Sequence, residues 1–244
     1  MDLHETRASS DLELLQIEMD LLWGTDAGPQ LVLACARDGV HARIGNQVAS
    51  DVARAVAAEI GGAASGTEPD TPPPQVERWR MLVENALGVP VRLAPASGPS
   101  YLIERDVRVP ATAQLVRSDT TDLASVRHAN PGNWADDEWR DLLDGQLGPW
   151  VMAMQRERVI SICHTPVSNS IAAEAGVWTH PNFRGQGHAA AATAEWAALM
   201  RPTRRLLFYS TSWTNRASQR VAARLGLHRL GYLWQFEFLS NGAG

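Results

Sequence analysis

The sequence has no lysine: all 22 of its Lys+Arg residues are arginine, a bias that GC-rich coding explains. Cysteine is scarce as well. Cys35 and Cys163 alone exclude a disulfide framework and a zinc quartet, and no metal centre is expected. Positive charge is outweighed by 27 acidic residues, giving a net charge of -5, so the basic footprint of a dedicated nucleic-acid binder is missing. No uninterrupted apolar stretch approaches the ~20 residues needed to cross a bilayer. The opening Met1–Ser10 mixes Asp2, His4, Glu5 and Arg7 with little apolar content, unlike a signal peptide, which points to a cytoplasmic protein without a membrane partner. What is present is ordinary globular composition, 45% hydrophobic and 20% charged, in a chain of 244 residues, long enough for one large domain or two small ones.

The texture breaks at Gly61–Gln75, whose Gly, Ser and Pro content predicts a loop or linker. Before it, Leu12, Leu15, Met19 and Leu22 predict a helix over Asp11–Trp23. Leu31–Ile44 reads as a hairpin turning at Asp38-Gly39, and Ser50 is placed to cap a helix over Val52–Ile60. After it come a helix over Val76–Leu87 and short strands near Val89–Leu93 and Tyr101–Val107. From about Pro110 the pattern predicts a strand Gln114–Arg117, a helix Thr121–His128 and a helix Ala135–Leu143 capped by Asn133. A hairpin follows over Trp150–Cys163, turning at Arg156-Glu157, then a strand Ile171–Thr179 and a helix Ala189–Met200. A strand Leu206–Ser210, a helix Ala217–Leu225 and a closing strand Leu230–Leu239 complete the chain. The reading is an α/β (α+β) layer structure: a smaller mixed α/β domain over 1–109, then a second domain over 110–244 with a mixed central sheet flanked by helices.

The informative stretch is Val177-Trp178-Thr179-His180-Pro181-Asn182-Phe183-Arg184-Gly185-Gln186-Gly187-His188-Ala189. A strand turns at a proline, and a glycine-interrupted segment opens into an Ala-rich helix. Glycines allow close backbone approach, the first helical amides lack acceptors, and the helix dipole favours an anion. On its own a GxG at a strand-to-helix turn is weak evidence for a ligand.

Arg184-Gly185-Gln186-Gly187-His188-Ala189 fits the R/Q-x-x-G-x-G/A signature of the GCN5-related N-acetyltransferases, at the family's position between its fourth strand and third helix. Tyr209-Ser210-Thr211-Ser212-Trp213-Thr214-Asn215-Arg216-Ala217-Ser218, followed by Leu225-Gly226-Leu227, resembles the family's later "N-x-x-A/S … GF" element. The resemblance spans about Pro110–Leu239. It implies that acetyl-CoA is the cofactor. Backbone groups of Val177, Trp178 and Thr179 would hold its pantetheine arm, and the amides of Gly185, Gln186, Gly187, His188 and Ala189 its pyrophosphate. Asn215, assisted by Ser218, would hold the arm near the thiol, with Arg184 or Arg216 adding charge at the phosphates. Arg216, Arg220 and Arg224 share a helix face, which reads as solvated surface except at Arg216.

Acetyl transfer to an amine requires a base for the amine, stabilisation of the carbonyl oxygen and tolerance of the departing thiolate. Glu174, inside an apolar strand, is the base candidate, since desolvation there would raise its pKa towards neutrality; the alternative is a solvated or arginine-paired carboxylate. His164 is the reserve base, and Cys163 reads as core. Many family members place a tyrosine seven residues after the asparagine as general acid. Here that position is Ala222, so Tyr209, Ser210 or water must serve, or the thiolate leaves unassisted.

The resemblance puts the acceptor region at Asn130–Asp144 and the Tyr232–Phe238 strand; in the former, Asp136, Asp137, Glu138, Asp141 and Asp144 could attract a cationic amine or simply favour the helix start and solubility. The N-terminal half could cover the acceptor, mediate dimerisation or be a diverged half of a tandem pair. The resemblance therefore implies a bacterial type of N-acetyltransferase acting on a primary amine of a small molecule (antibiotic, toxin or metabolite), as monomer or homodimer. Protein or peptide acetylation, and an inactive acyl-CoA-binding regulatory module, stand as alternatives.

Overall fold

The computed structural model describes residues 10–24, 29, 31–46, 48–61, 76–103, 106–120 and 122–238. In chain order its elements begin α1 (Asp11–Trp23), β1 (Leu31–Ala36), β2 (Gly39–Ile44), α2 (Ser50–Gly61), α3 (Val76–Leu87), β3 (Val91–Leu93) and β4 (Gly98–Leu102). They continue β5 (Gln114–Arg117), α4 (Asp136–Leu143), β6 (Val151–Gln155), β7 (Arg158–His164), β8 (Ala172–Glu174) and β9 (Gly176–Thr179). The last are α5 (His188–Met200), β10 (Leu206–Ser210), α6 (Arg216–Leu225) and β11 (His228–Phe238). Contacts divide the chain into two compact units, one of Met1–Ser100, Thr211–Thr214 and Arg229–Gly244, the other of Tyr101–Ser210 and Asn215–His228.

In the first unit α1 is started by a capping box: the Ser10 hydroxyl accepts from the Glu13 amide at 3.2 Å, and the Glu13 carboxylate accepts from the Ser10 amide at 3.1 Å. β1 is buried along its whole length between antiparallel neighbours β2 and β11, with Leu33 opposite Ala42 and Trp234. Trp79 and Val83 of α3, Val56 and Ile60 of α2, and Leu31, Leu33, Trp234 and Phe236 fill one core cluster. Glu18 of α1 is fully buried and receives the Ser100 hydroxyl.

In the second unit β5, β6, β7 and β9 form an antiparallel sheet in that order, while β8 pairs parallel with β10. Alanines let α5 lie close on β6 and β7: Ala190, Ala191, Ala192, Ala194 and Ala197 are buried. Trp196 anchors the helix by donating to the Thr165 hydroxyl at 3.0 Å and to the Pro149 carbonyl at 3.2 Å.

Several sequence expectations need correction. The single strand expected over Ile171–Thr179 is two strands. Ala175 still donates to the Phe208 carbonyl of β10, but from Gly176 onward the chain pairs with β7, so it changes partner at Ala175. Thr121–His128 is no α-helix: the described part holds a 3-10 turn over Leu123–Ser125, started by the Asp122 carboxylate on the Ala124 amide, a local bond that competes with helix. Ala135, not Asn133, sits at the start of α4, where the Glu138 carboxylate takes its amide at 2.9 Å. Ser50 is the first helical residue of α2 rather than its cap, and β4 ends at Leu102, short of the strand expected to Val107. Of the expected linker, residues 62–75 lie outside the described residues. No described helix is long and apolar enough to cross a membrane.

Candidate active site

β9 runs into a 3-10 turn, Pro181–Phe183, whose first amide is held by His180 Nδ1 accepting from Asn182 at 3.2 Å. The chain then takes positive φ at Gly185 (77°) and Gly187 (90°), conformations that a Cβ disfavours. Gly187 is the N-cap of α5 and offers no capping side chain, so the leading amides of the helix face outward unblocked with the positive end of its dipole behind them. A helix start of this form, a glycine cradle with uncapped leading amides, is the kind of backbone that suits an anion.

This cradle is one wall of a cavity of about 580 Å³. Of the residues expected to hold the cofactor, Val177, Trp178, Thr179, Arg184, Gly185, Gly187, His188, Ala189, Asn215 and Ser218 all line it, and so does Tyr209. Gln186 and Arg216 lie off the wall: Gln186 donates to the Asn182 carbonyl at 3.3 Å, and Arg216 donates to Gln219 Oε1 at 3.0 Å. Asn215 caps α6, its side-chain oxygen accepting from the Ser218 amide at 3.1 Å.

Arg220 and Arg224, read from sequence as solvated surface, are exposed and also stand on the cavity wall. A Cβ built on Gly187 would come within 2.9 Å of Arg224 Nη1, so the guanidinium packs across that glycine. The helical spacing put both arginines on one face. It could not say which way the face looks, because that depends on α6 packing on α5 and burying Ala222 and Leu225.

At the far end of the cavity wall the Tyr209 hydroxyl sits 2.6 Å from the Ser218 hydroxyl. Its ring is 1% exposed, and burial pushes its pKa up, so the phenol keeps its proton. Tyr209 shares a packed cluster with Ala222, which is fully buried.

Glu174 and His164 do not line the cavity. Glu174 closes the parallel pairing of β8 with β10: its Oε1 accepts from the Ser210 amide at 2.7 Å and from the Ser210 hydroxyl at 2.8 Å. Oε2 is buried without a partner. Desolvation raises the pKa of this carboxyl from the usual carboxylate range to about 7, with the two Ser210 bonds opposing. It is therefore neither solvated nor paired with an arginine among the described residues. His164 stacks on Gly176, with the Trp134 ring 5.2 Å away; burial lowers its pKa, which keeps the imidazole neutral. His188 is likewise held neutral by burial, its Nδ1 2.7 Å from the Thr112 hydroxyl. Cys163 is a fully buried thiol whose pKa burial drives up, a core residue and no nucleophile.

A second cavity, of about 560 Å³, lies along α4. Asp136 and Asp144 line it with Trp139, but so do Arg127 and Arg140; Asp137, Glu138 and Asp141 do not.

A family model described as an acetyltransferase (GNAT) domain matches residues 108–228. No curated protein matches the sequence. Among solved structures, a GCN5-related N-acetyltransferase from Kribbella flavida is similar at 12% identity and a TM-score of 0.50, over 95% of this chain and 96% of that one. A GCN5-related N-acetyltransferase-like protein from Streptococcus suis is similar at 18% identity and a TM-score of 0.45, over 86% of this chain and 84% of that one.

Proposed function

Residues 108–228 of this chain are a GNAT acetyltransferase domain, and on that premise we propose that it moves an acetyl group from acetyl-CoA to a primary amine of a small molecule by direct attack. The observation that carries the donor assignment is the cavity. A glycine cradle at the start of α5 and three arginines, Arg184, Arg220 and Arg224, face one volume in which no described carboxylate stands. A diphosphate suits that wall, and the polar end at Tyr209, Ser218 and Asn215 suits the pantetheine and thiol end. When bound, acetyl-CoA supplies an acetyl group already activated as a thioester.

The chain's own residues then have two protons to manage. Successive residues of β10 point to opposite faces. Glu174, whose raised pKa makes it a base effective near neutrality, lines neither cavity, so the proton of the attacking amine reaches it by relay, with the Ser210 hydroxyl on its Oε1 as the last member. Tyr209 holds its proton and, with Ser218 behind it, donates toward the departing sulfur in the role that a tyrosine at Ala222 would otherwise fill. A small acceptor fits the molecule-sized cavity along α4, where Asp136 and Asp144 offer carboxylates to an amine while Arg127 and Arg140 share the wall.

The test is release of free thiol from acetyl-CoA by the full chain with a panel of small primary amines, alongside peptides with free N-termini. Acceleration by small amines with mass-confirmed N-acetyl products supports the proposal. Acceleration by peptides alone moves the assignment to protein acetylation, and binding of acetyl-CoA with no transfer to anything favours a regulatory acyl-CoA-binding module.

A further inference from the structure

We propose that Asn133 is a positioning residue of this domain: its side-chain oxygen holds the indoles of Trp134 and Trp178 together, tying the loop before α4 to β9 and so fixing the strand that walls the donor cavity. The inference rests on the donor reading above. It adds a residue that lines neither cavity and acts through Trp178, which does line one.

The sequence suggests Asn133 as the cap of α4, but Ala135 takes that place and leaves the Asn133 side chain for another role. Although exposed, this side chain meets two indole nitrogens, Trp134 Nε1 at 3.1 Å and Trp178 Nε1 at 3.3 Å. An indole N–H only donates, and a primary amide has one oxygen with two lone pairs, so the end that meets both rings is the oxygen. Trp139 and Trp196 show the ordinary arrangement, each with acceptors of its own. Trp139 donates to the Arg127 carbonyl at 3.1 Å, and Trp196 to the Pro149 carbonyl and the Thr165 hydroxyl. Trp134 and Trp178 lie far apart in the chain and share one acceptor.

The two ends of this link differ in how firmly they are held. On one side, Asn130 Oδ1 accepts from the Gly132 amide at 2.9 Å and Asn130 Nδ2 donates to the Trp134 carbonyl at 3.0 Å, so the loop is braced around Asn133. The Trp134 ring also packs edge-on against His164 and Trp139, with centroids 5.2 and 6.5 Å away. On the other side, β9 stands at the end of its sheet, paired with β7, yet it carries Val177, Trp178 and Thr179 of the cavity wall. A strand at an edge lacks a second ladder, and two side chains compensate at Trp178. The Ser161 hydroxyl donates to its carbonyl at 2.8 Å, and Asn133 takes its indole N–H. The Trp178 ring then meets His180, and His180 meets Phe183, with centroids 6.1 and 5.4 Å apart, so the hold reaches the turn before the glycine cradle.

Proton–nitrogen NMR of the indole N–H groups, with calorimetric titration of acetyl-CoA, tests the link on the full chain. Trp134→Phe and Trp178→Phe assign the two signals. Asn133→Ala should shift both and speed their exchange with water, whereas Asn133→Asp, which keeps an oxygen at that place, should hold them. In step, Asn133→Ala should weaken acetyl-CoA about fivefold to tenfold, raising its KM with kcat within about twofold, and Asn133→Asp should lie closer to the wild type. The residue is exposed, so the variants should fold, and circular dichroism checks that they do. Indole signals that Asn133→Ala leaves in place overturn the link. Freed indoles with unchanged acetyl-CoA affinity overturn the positioning role, and so does an Asn133→Asp variant as weak as Asn133→Ala. Failure of the folded wild type to bind acetyl-CoA overturns the donor reading, and this role with it, whatever the indole signals show.

Discussion

Ser210 gives both of its donors to one atom: its backbone N–H and its hydroxyl reach Glu174 Oε1 at 2.7 and 2.8 Å. The arrangement follows from the change of partner at Ala175. Where β9 leaves β10 to join β7, the Ser210 amide has no strand carbonyl to meet, and the Glu174 side chain takes its place. A carboxyl held there is desolvated, and its pKa rises to about 7.

Stability should therefore depend on pH in a defined direction. The folded pKa of Glu174 lies above its unfolded value, so the folded state binds the proton more tightly. The resulting stability is complete below about pH 4.5 and is lost as pH rises through about 7. Glu174→Gln, which is always neutral, should gain on the wild type by about 3 kcal/mol or less at pH 8 and by little at pH 5. Denaturant melts at the two pH values check this, and a gain confined to pH 5 would reverse the sign of the shift.

Turnover should show the same group from the other side. With Glu174 as proton acceptor, kcat should rise with pH through about 7. Glu174→Gln should cost about 100-fold or more, and Ser210→Ala about tenfold or more. Acetyl-CoA affinity in both should stay within about threefold. Full turnover in Glu174→Gln would remove the base assignment.

Tyr209→Phe should lower kcat about tenfold to 100-fold with little change in acetyl-CoA affinity, because it deletes a proton donor and leaves the ring in place. Burial raises the phenol pKa, so Tyr209 should add no alkaline limb to the rate profile below about pH 10. Ala222→Tyr should not rescue the variant. Position 222 is fully buried, and overpacking it should instead cost about 1–3 kcal/mol.

The two loop glycines should respond differently. Gly185 has φ 77° and nothing within 4 Å of a built Cβ, so Gly185→Ala meets only backbone strain, about 1–2 kcal/mol, and keeps most of its donor affinity. Gly187 has φ 90° and Arg224 at 2.9 Å, so Gly187→Val combines strain with displacement of the guanidinium. Equal losses in the two variants would show that space beside Arg224 is unimportant.

Much of this architecture was legible in the residues. Apolar spacing located α1, α3, β5 and β10 with the bounds the fold has, because local propensity and burial agree there. The cradle was legible because its glycines and the Ala-rich start of α5 are contiguous. Other features were not, each for a local reason. Asp122 diverts a helical pattern into a single turn, and the strand break at Ala175 carries no proline, while Gly176 beside it is compatible with an unbroken strand. The orientation of Arg220 and Arg224, and the meeting of Glu174 with Ser210, depend on packing between segments far apart in the chain, which spacing along it does not encode.

The most direct test of the central claim is calorimetric titration with acetyl-CoA of the wild type and of Gly187→Val, both shown to be folded by circular dichroism. The account predicts saturable one-to-one binding by the wild type and a loss of at least about 30-fold in the variant. No saturable binding by the folded wild type, or unchanged affinity in Gly187→Val, would contradict it.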